Sequence, residues 1–280
     1  MHPDNKNKGL YRFKYLRKVN KDLVPFIKET DRGIQTIDFS NPEAVLQLNK
    51  AILLSDYSLA WYDIPKGYLC PAIPGRADYI LYLKDFLNKE KVRGLDIGTG
   101  ANFIYPLIGA TLFNWTIKGV DTDKNAIKSA TTILENNTHL KGFLSTCLQP
   151  SPASIFKDVI LPGEHYDFTM CNPPFYSSEK EAFKATLEKS KGLKLAEVKR
   201  NFEGQSNELW CNGGEALFIK RMIKESVLFK SQVVWFTTLV SKNEHLPKLK
   251  KQLEKNKAHY KTIDMSQGNK KSRFLAWRFD

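Results

Sequence analysis

The sequence predicts an α/β fold in which a mostly parallel sheet is covered by helices on both faces. From residue 92 onward, short apolar runs rich in β-branched and aromatic residues alternate with helix-length segments such as DKNAIKSATTILENN. Strands that alternate with helices give a parallel sheet, because each crossover helix packs back onto the strands that it joins. No further helix is predicted between the last two runs, so the sheet is predicted to end in an antiparallel hairpin. The runs are VRGLDIG, TIKGVD, YDFTMC, QVVWFTTLV and SRFLAWRF.

The N-terminal third of the chain lacks this alternation and predicts helices instead. SNPEAVLQLNKAILLSDY is typical of a helix capped by Ser40 or Asn41, because the following proline is favoured at the first helical position. A second helix is predicted from about Arg76, and local pattern alone places Arg76 on the surface at the start of this helix. The sequence thus predicts a basic, helical extension over residues 1–90 and a second domain over residues 91–280.

The positive charge of the chain is concentrated at its two ends. The net charge is +13, of which residues 1–21 contribute +6 and residues 241–280 contribute +7, so residues 22–240 are neutral overall. A neutral body with basic ends indicates that the ends contact a polyanion such as RNA or DNA. Solubility alone is the competing explanation.

The basic arm, which we define as residues 1–21, also contains interleaved aromatic residues. Tyr11, Phe13 and Tyr15 alternate with cationic side chains. Cations for phosphates and rings for stacking suit single-stranded nucleic acid. The same rings could instead pin the arm to the body of the protein, and the sequence leaves both interpretations open.

Composition excludes several classes of protein. No stretch reaches the apolar length that spans a bilayer, and no signal segment opens the chain. The four cysteines are far apart and lack CxxC spacing, so neither a zinc site nor a disulfide framework is predicted. A cytoplasmic protein with no metal and no membrane partner is expected. The cysteines are Cys70, Cys147, Cys171 and Cys211.

A glycine turn follows the first predicted strand of the sheet. In GLDIGTGANF, Gly98 and Gly100 allow a ligand to approach the backbone, and the next helix offers free N–H groups. A dinucleotide-binding turn would place a third glycine where Phe103 stands, which disfavours a nicotinamide cofactor. On its own, the turn is equally explained as a plain strand-to-helix connection.

An acidic residue at the end of the next strand supports a ligand-binding role for the glycine turn. TIKGVDTD places Asp121 where the strand stops, and a carboxylate at this position can accept hydrogen bonds from both ribose hydroxyls. Asp123 is expected to cap the following helix. Together with the glycine turn, Asp121 predicts a nucleoside-cofactor pocket, for which S-adenosylmethionine is a better candidate than a nicotinamide.

The motif CNPPF follows the strand YDFTMC and predicts the chemistry. Asn172 provides an amide acceptor, and Pro173 has no N–H, so its surroundings are rich in carbonyl acceptors. A planar exocyclic NH2 group could donate to the Asn172 side chain and to the Pro173 carbonyl, with Phe175 against the ring. Such a site works by positioning and electrostatics without a strong base. The alternative is a proline-rich turn, Pro173–Pro174, with a buried phenylalanine.

These motifs resemble the class I S-adenosylmethionine-dependent methyltransferases, whose amino-methylating members carry Asp, Asn or Ser before Pro-Pro and an aromatic residue. The resemblance is narrower than this class, since blocks across the whole chain are similar to the 23S rRNA (adenine 1618-N6) methyltransferases. Human methyltransferase-like protein sixteen belongs to the same larger family. The blocks are PGRADYI, LDIGTGANFIYPLIGA, CNPPF, ELWCNGGE, FIKRMIKES, WFTTLVSKNEHLP and QGNKKSRFLAW.

The resemblance implies a Rossmann-like, seven-stranded sheet and assigns roles to individual residues. It implies that Arg76 reaches the methionine end of S-adenosylmethionine, that Asn102 lines the glycine turn, and that Ser151 borders the adenine. It implies that the residues from Asn172 to Phe175 hold the target adenine and that Asn172 also borders the cofactor. The implied partner is 23S rRNA or a large-subunit assembly intermediate, and a monomer is expected.

Residues 177–204 form a charged segment directly after the NPPF motif. Its seven lysine and arginine residues predict a mobile insertion that becomes ordered over the substrate, because RNA contacts would offset the entropy of ordering. A rigid, solvated helix with internal ion pairs is the competing interpretation.

Three other functions fit parts of the sequence. A protein glutamine methyltransferase could use the same grip on an amide nitrogen, although such enzymes usually have tyrosine at the position of Phe175. A DNA adenine methyltransferase is distinguished only by its substrate. An inactive RNA-binding scaffold is disfavoured, because such a protein has no reason to keep both Asp121 and the NPPF motif.

Overall fold

The computed structural model describes residues 1–8, 11–174, 211–267 and 270–280, together with residues 176, 178 and 181. The N-terminal part of the chain forms three helices and a small antiparallel pair of strands. Asn41 caps the second helix, since its side chain accepts hydrogen bonds from the Glu43 and Ala44 N–H groups. The elements are α1 (Phe13–Val19), β1 (Ile27–Glu29), β2 (Gln35–Ile37), α2 (Pro42–Asp56) and α3 (Ile73–Leu87).

The remaining described residues form the predicted α/β arrangement. The third helix of the chain, α3, begins at Ile73, three residues before the predicted start, with Pro74 in its first turn. The strands are β3 (Arg93–Ile97), β4 (Thr116–Asp121), β5 (Leu144–Leu148), β6 (Tyr166–Cys171), β7 (Val233–Leu239), β8 (His259–Gln267) and β9 (Lys270–Arg278). The helices are α4 (Ile104–Phe113), α5 (Lys124–Glu135), α6 (Gly214–Ser226) and α7 (Leu246–Lys255).

Within the described residues, seven strands form one sheet in the order β5-β4-β3-β6-β7-β9-β8. All neighbouring pairs from β5 to β7 are parallel, whereas β9 runs antiparallel to both β7 and β8. The predicted mostly parallel sheet with an antiparallel terminal hairpin is therefore confirmed. Chain order reverses between β3 and β6, and open α/β sheets bind ligands in the crevice beside such a reversal, at the carboxyl ends of the strands.

The sheet region differs from the sequence prediction at α7 and at β5. The prediction of no helix before the terminal hairpin was wrong, because α7 occupies that connection. Its buried residues Leu246, Leu249 and Leu253 have helical spacing, but lysines fill most of the intervening positions. The strand β5 is half-buried at the edge of the sheet, so it lacks the continuous apolar run that marked the other strands.

The basic arm packs against α3 through buried polar contacts. The His2 N–H donates to Asp78 Oδ1 at 3.0 Å, and the Asn5 side chain donates to the same oxygen at 2.6 Å and to the Pro74 carbonyl at 2.8 Å. Farther along the arm, Phe13 and Leu16 are buried in the core. The arm is thus held to the body at two places, by His2 and Asn5 near its start and by Phe13 and Leu16 farther along.

The main apolar cluster includes side chains from both sides of residue 90. Leu48 and Ile80 from the extension belong to the same cluster as Ile108 and Trp115 from the α/β part. The division of the chain into two domains at residue 90 therefore stays a prediction. Among the described residues, no helix is both long and apolar enough to cross a membrane.

Candidate active site

A cavity of about 390 Å³ lies at the carboxyl ends of β3, β4 and β6. The parallel register explains the convergence, because Ile97 pairs with Val120 on one side and with Cys171 on the other. The residues that follow these partners, Gly98, Asp121 and Asn172, therefore emerge side by side. All three line the cavity.

The glycine turn after β3 has the backbone conformation that its sequence predicts. Gly98 and Gly100 have φ angles of +73° and +64°, which side chains with a Cβ rarely adopt. A Cβ added at Gly98 would meet no atom within 4 Å. The Gly98 and Thr99 N–H groups both donate to the Val120 carbonyl at 2.9 Å, so β4 holds the turn open toward the cavity.

Phe103 stands where a dinucleotide-binding turn has its third glycine, and its ring fits because position 119 in β4 is a glycine. It has a left-handed φ of +51° and is fully buried at the start of α4. A Cβ at Gly119 would lie 2.4 Å from the Phe103 ring. The close contact between helix and strand that dinucleotide folds obtain with a glycine in the turn is obtained here with a glycine in β4.

Asp121 is half-buried at the end of β4 and binds the glycine turn. Its Oδ2 accepts from the Gly100 N–H at 2.9 Å, and its Oδ1 accepts from the Asp123 N–H at 2.9 Å. Burial raises the pKa of this carboxyl above its ordinary value, although the backbone hydrogen bonds oppose the shift. A carboxylate has about four acceptor positions, so both oxygens retain capacity for hydroxyl groups from the cavity.

Arg76 enters the cavity from the first turn of α3. Its guanidinium donates to the Tyr105 hydroxyl at 2.9 Å and lies 5.6 Å from the centre of that ring. Both residues line the cavity. Local pattern alone places Arg76 on the surface. In the structure, Arg76 is half-buried and lines the cavity.

Asn102 and Ser151 differ in their relation to the cavity. Asn102 lines it, while its side chain accepts from the Ile104 N–H at 3.2 Å and donates to the Leu69 carbonyl at 3.4 Å. Ser151 belongs to the described part of the chain but does not line the cavity. Its neighbour Ser154 is, along with Gln149.

The target-base motif begins directly beside these groups. Asn172 and Pro174 line the cavity, and Pro173 lies buried between them. The Asn172 Oδ1 atom is buried, and no described residue donates a hydrogen bond to it. Buried acceptors are nearly always satisfied, so an orphan oxygen in a cavity calls for a donor from a ligand. Phe175 lies outside the described residues, as does nearly all of the insertion predicted at 177–204.

Sequence reasoning missed the contribution of the N-terminal extension to the cavity wall. The Tyr68 hydroxyl donates to Asp123 Oδ2 at 2.7 Å, and the Tyr62 hydroxyl donates to the Asn102 carbonyl at 3.2 Å. Leu69 lines the cavity between these anchors. Asp123 caps α5 as predicted, because it accepts from the Asn125 N–H. No local motif marks these tyrosines, since their role depends on long-range contacts.

Asp96 is a second buried carboxyl, one strand residue before the turn. Its Oδ2 accepts from the Thr99 hydroxyl at 2.7 Å, and no described residue donates to its Oδ1. Burial raises the pKa of Asp96 to about 7. Between the ordinary aspartate pKa and this value, the folded protein keeps a proton that the unfolded chain releases, so the stability contributed by Asp96 falls as pH rises through that window.

We therefore expect Asp96→Asn to stabilise the free protein more at pH 8 than at pH 5. The amide carries no charge to bury at either pH, whereas the carboxyl of the original protein ionises in its buried site at the higher pH. Urea unfolding of both proteins at the two pH values measures the difference. An equal change in unfolding free energy at both values would contradict the raised pKa.

The donor set fits S-adenosylmethionine. The glycine turn leaves open space at Gly98, the Asp121 carboxylate has free acceptor capacity, and Arg76 brings a cation that can meet a carboxylate. Apolar walls from Ile97, Ile155 and other residues suit an adenine ring. The fold and this site define a class I S-adenosylmethionine-dependent methyltransferase.

Comparisons with known proteins give the family. A family model described as "RNA methyltransferase" matches residues 1–280, and the chain belongs to that family. The chain is 54% identical to the "Ribosomal RNA large subunit methyltransferase F" of Christiangramia forsetii, with full coverage of both chains. It is 49% identical to the protein of the same name from Flavobacterium johnsoniae, with coverage of 100% of this chain and 93% of the relative.

Solved structures agree with this assignment. The catalytic domain of human METTL16 bound to MAT2A 3'UTR hairpin 1 has a TM-score of 0.85 and 30% identity, with coverage of 100% of this chain and 96% of that chain. The N-terminal domain of human METTL16 in complex with SAH has a TM-score of 0.80 and 28% identity, with coverage of 100% and 99%. The resemblance found in the sequence is thereby confirmed, and the enzyme uses S-adenosylmethionine.

Proposed function

We propose that this enzyme transfers a methyl group from S-adenosylmethionine to the N6 atom of one adenine in 23S rRNA, the adenine 1618 type of site. The observation that carries the proposal is the orphan Asn172 Oδ1 atom in the cavity, an acceptor that is open to a donor such as an exocyclic NH2 group. Relatives that match over the whole chain are named as large-subunit rRNA methyltransferases, which supports an RNA adenine over a protein glutamine or DNA.

The side chains act mainly by placing the reacting nitrogen. Bound S-adenosylmethionine supplies the electrophilic methyl group. In our proposal, Asn172 Oδ1 accepts one hydrogen of the adenine NH2 group and the Pro173 carbonyl accepts the other, which turns the nitrogen lone pair toward the methyl carbon. As the new N–C bond forms, the bond from that carbon to sulfur breaks, and the nitrogen releases one proton to solvent. Asp121 would hold the ribose of the cofactor, and Arg76 would hold the carboxylate of its methionine part. Positioning and fixed dipoles supply the rate enhancement in such a site.

A labelling experiment tests this function. The enzyme, labelled S-adenosylmethionine and 23S rRNA from a strain that lacks the modification are incubated, and modified positions are mapped. We expect one N6-methyladenine in 23S rRNA. Duplex DNA and total ribosomal protein serve as competing acceptors, and label in either one without label in rRNA would overturn the assignment. Free rRNA and large-subunit assembly intermediates are compared as substrates, since either can be the natural partner.

Helix α1 presents a basic surface that supports an RNA contact. Phe13 and Leu16 face the core, whereas Lys14, Arg17 and Lys18 are exposed. The buried Phe13 ring supports the interpretation in which the rings pin the arm to the body, and the outer face of the helix remains cationic. Stacking of the exposed Tyr15 ring on RNA stays a proposal. We propose that this outer face binds rRNA phosphates.

We expect exchange of Lys14, Arg17 and Lys18 for glutamine to weaken rRNA binding and to flatten its salt dependence. For every phosphate that is no longer neutralised, the slope of log affinity against log salt should decrease in magnitude by roughly 0.7 to 0.9. Filter binding at several salt concentrations gives the slope. Phe13→Ala is the contrasting variant, because the loss of a buried ring should cost about 3–5 kcal/mol of stability. An unchanged slope in the triple variant would remove α1 from the RNA surface.

Three further predictions stay proposals. An rRNA substrate supports a cytoplasmic location for the enzyme. We propose that it acts as a monomer, and that residues 177–204 become ordered over the RNA. Hydrogen exchange with and without rRNA tests whether residues 177–204 become ordered. Strong protection of these residues in the free protein, unchanged by RNA, would contradict that proposal.

A further inference from the structure

We propose that Glu225 and Arg221 of α6 are positioning residues that hold the loop of residues 149–157 in the shape that completes the cofactor cavity. Neither residue was a candidate in the sequence, and Glu225 does not itself line the cavity. The proposal deepens the function above by naming what fixes one wall of the cofactor site.

The Glu225 carboxylate binds three successive backbone N–H groups of the loop. Its Oε1 accepts from Ile155 at 3.1 Å, from Phe156 at 2.8 Å and from Lys157 at 2.8 Å, and its Oε2 accepts from Ile155 at 3.0 Å. Hydrogen bonds to an ionised acceptor are about twice as strong as neutral ones. One side chain therefore satisfies a whole turn of backbone that has no strand or helix partner.

Arg221 binds the preceding stretch of the same loop. It donates to the Ala153 carbonyl at 2.9 Å and to the Pro152 carbonyl at 3.3 Å. Residues four apart lie on one face of a helix, so Arg221 and Glu225 reach the loop together. The cation binds the carbonyls and the anion binds the N–H groups, which fixes the direction of the loop as well as its distance from α6.

The loop so held is part of the cofactor site. Pro152, Ser154 and Ile155 line the cavity. At its start, the Gln149 N–H donates to the Asp121 carbonyl at 2.8 Å, which joins the loop to the strand end that carries the proposed ribose acceptor. A shift of the loop would therefore move an apolar wall against the adenine side of the pocket and disturb Asp121.

Helix α6 also approaches the cavity from its other end. Cys211 and Asn212, just before the helix, line the cavity, and the Cys211 N–H donates to the Tyr176 carbonyl at 3.1 Å. The same helix thus contacts the cofactor loop at one end and the chain after the NPPF motif at the other. This arrangement favours a positioning role over a purely local packing role.

Glu164 provides a matched control at the opposite, amino-terminal ends of the strands. Its carboxylate is also partly buried and accepts from the Leu161 N–H, the Tyr166 hydroxyl and the Lys118 ammonium. It lies before β6, at the amino end of the strand, and does not line the cavity. Loss of its charge should lower the stability of the protein but leave S-adenosylmethionine binding unchanged.

The experiment measures S-adenosylmethionine binding to the full chain by calorimetry in the absence of RNA. We expect Glu225→Gln to raise Kd about tenfold, because the neutral amide has one acceptor oxygen for three loop N–H groups and holds the cavity wall less firmly, and Glu164→Gln to leave Kd unchanged. Amide exchange at residues 155–157 should quicken only in the first variant. With rRNA present, KM for the cofactor should rise while kcat at saturation is retained.

Arg221→Met keeps the proposal testable if Glu225→Gln does not fold, because Arg221 is only half-buried. It should raise Kd by a smaller factor of the same sign, and because Arg221 also lines the cavity, amide exchange at residues 155–157 must quicken in the same variant for the positioning role to hold. Unchanged Kd in every folded variant would overturn the proposal and leave the contacts a purely structural role. Because the readout is cofactor binding without RNA, this outcome is distinct from a failure of the rRNA assignment, which only the mapping experiment can show.

Discussion

Asn172→Ala is expected to slow methyl transfer by roughly 10²–10³-fold while leaving S-adenosylmethionine binding nearly unchanged. The variant removes the buried Oδ1 acceptor that has no partner among the described residues, so the target NH2 group loses one of its two proposed hydrogen bonds. Loss of one such preorganised contact costs roughly 10²–10³-fold in kcat. Single-turnover methylation of rRNA, with cofactor affinity measured in parallel by calorimetry, gives both quantities.

Asn172→Asp is the matched variant for this test. It keeps an acceptor oxygen at nearly the same place, and aspartate stands at this position in other amino-methylating enzymes of the class, so it should retain more activity than the alanine variant. Near-normal turnover by a folded Asn172→Ala protein would show that the side-chain oxygen does not place the reacting nitrogen.

Asp121→Ala is expected to weaken S-adenosylmethionine binding by about 1.5–3 kcal/mol, the range for hydrogen bonds to a charged group. The upper end is expected, because the carboxylate also accepts from the Gly100 and Asp123 N–H groups and its loss would loosen the glycine turn. Calorimetry on the folded variant measures the change. An unaltered affinity would remove Asp121 from the ribose site.

The pH dependence of cofactor binding provides an independent check on Asp121. Burial raises the pKa of this carboxyl, so its ionised form is lost at a higher pH than for an exposed aspartate. Affinity should therefore fall as pH is lowered through the raised pKa, and this decline should be absent in Asp121→Asn. The same decline in both proteins would assign it to another group.

The sequence predicted the parts of the site that are local to strand ends. The glycine turn, Asp121 and Asn172 each follow an apolar run directly, and parallel strands bring such positions to one edge of a sheet. Asn41 as a helix cap was equally local. These predictions needed only short-range pattern and one topological rule.

What the sequence did not predict depends on contacts between distant segments. Tyr68 reaches Asp123 across 55 residues, and Glu225 reaches Phe156 across 69. Neither side chain stands in a pattern that distinguishes it from an ordinary surface residue. The helix α7 was missed for a different reason, since its narrow apolar stripe is surrounded by lysines. The resemblance supplied Arg76, which local pattern alone placed on the surface.

The fit between Phe103 and Gly119 constrains the order in which mutations at these two positions can accumulate. With the ring in place, any side chain at position 119 would collide with it at 2.4 Å, so a phenylalanine could be accepted at 103 only in a protein that already had glycine at 119. Loss of the ring is costly in this protein, because Phe103→Ala would leave a ring-sized void in the core, at about 3–5 kcal/mol. The pair is thus epistatic, and ancestral lineages should show glycine at 119 before an aromatic residue at 103.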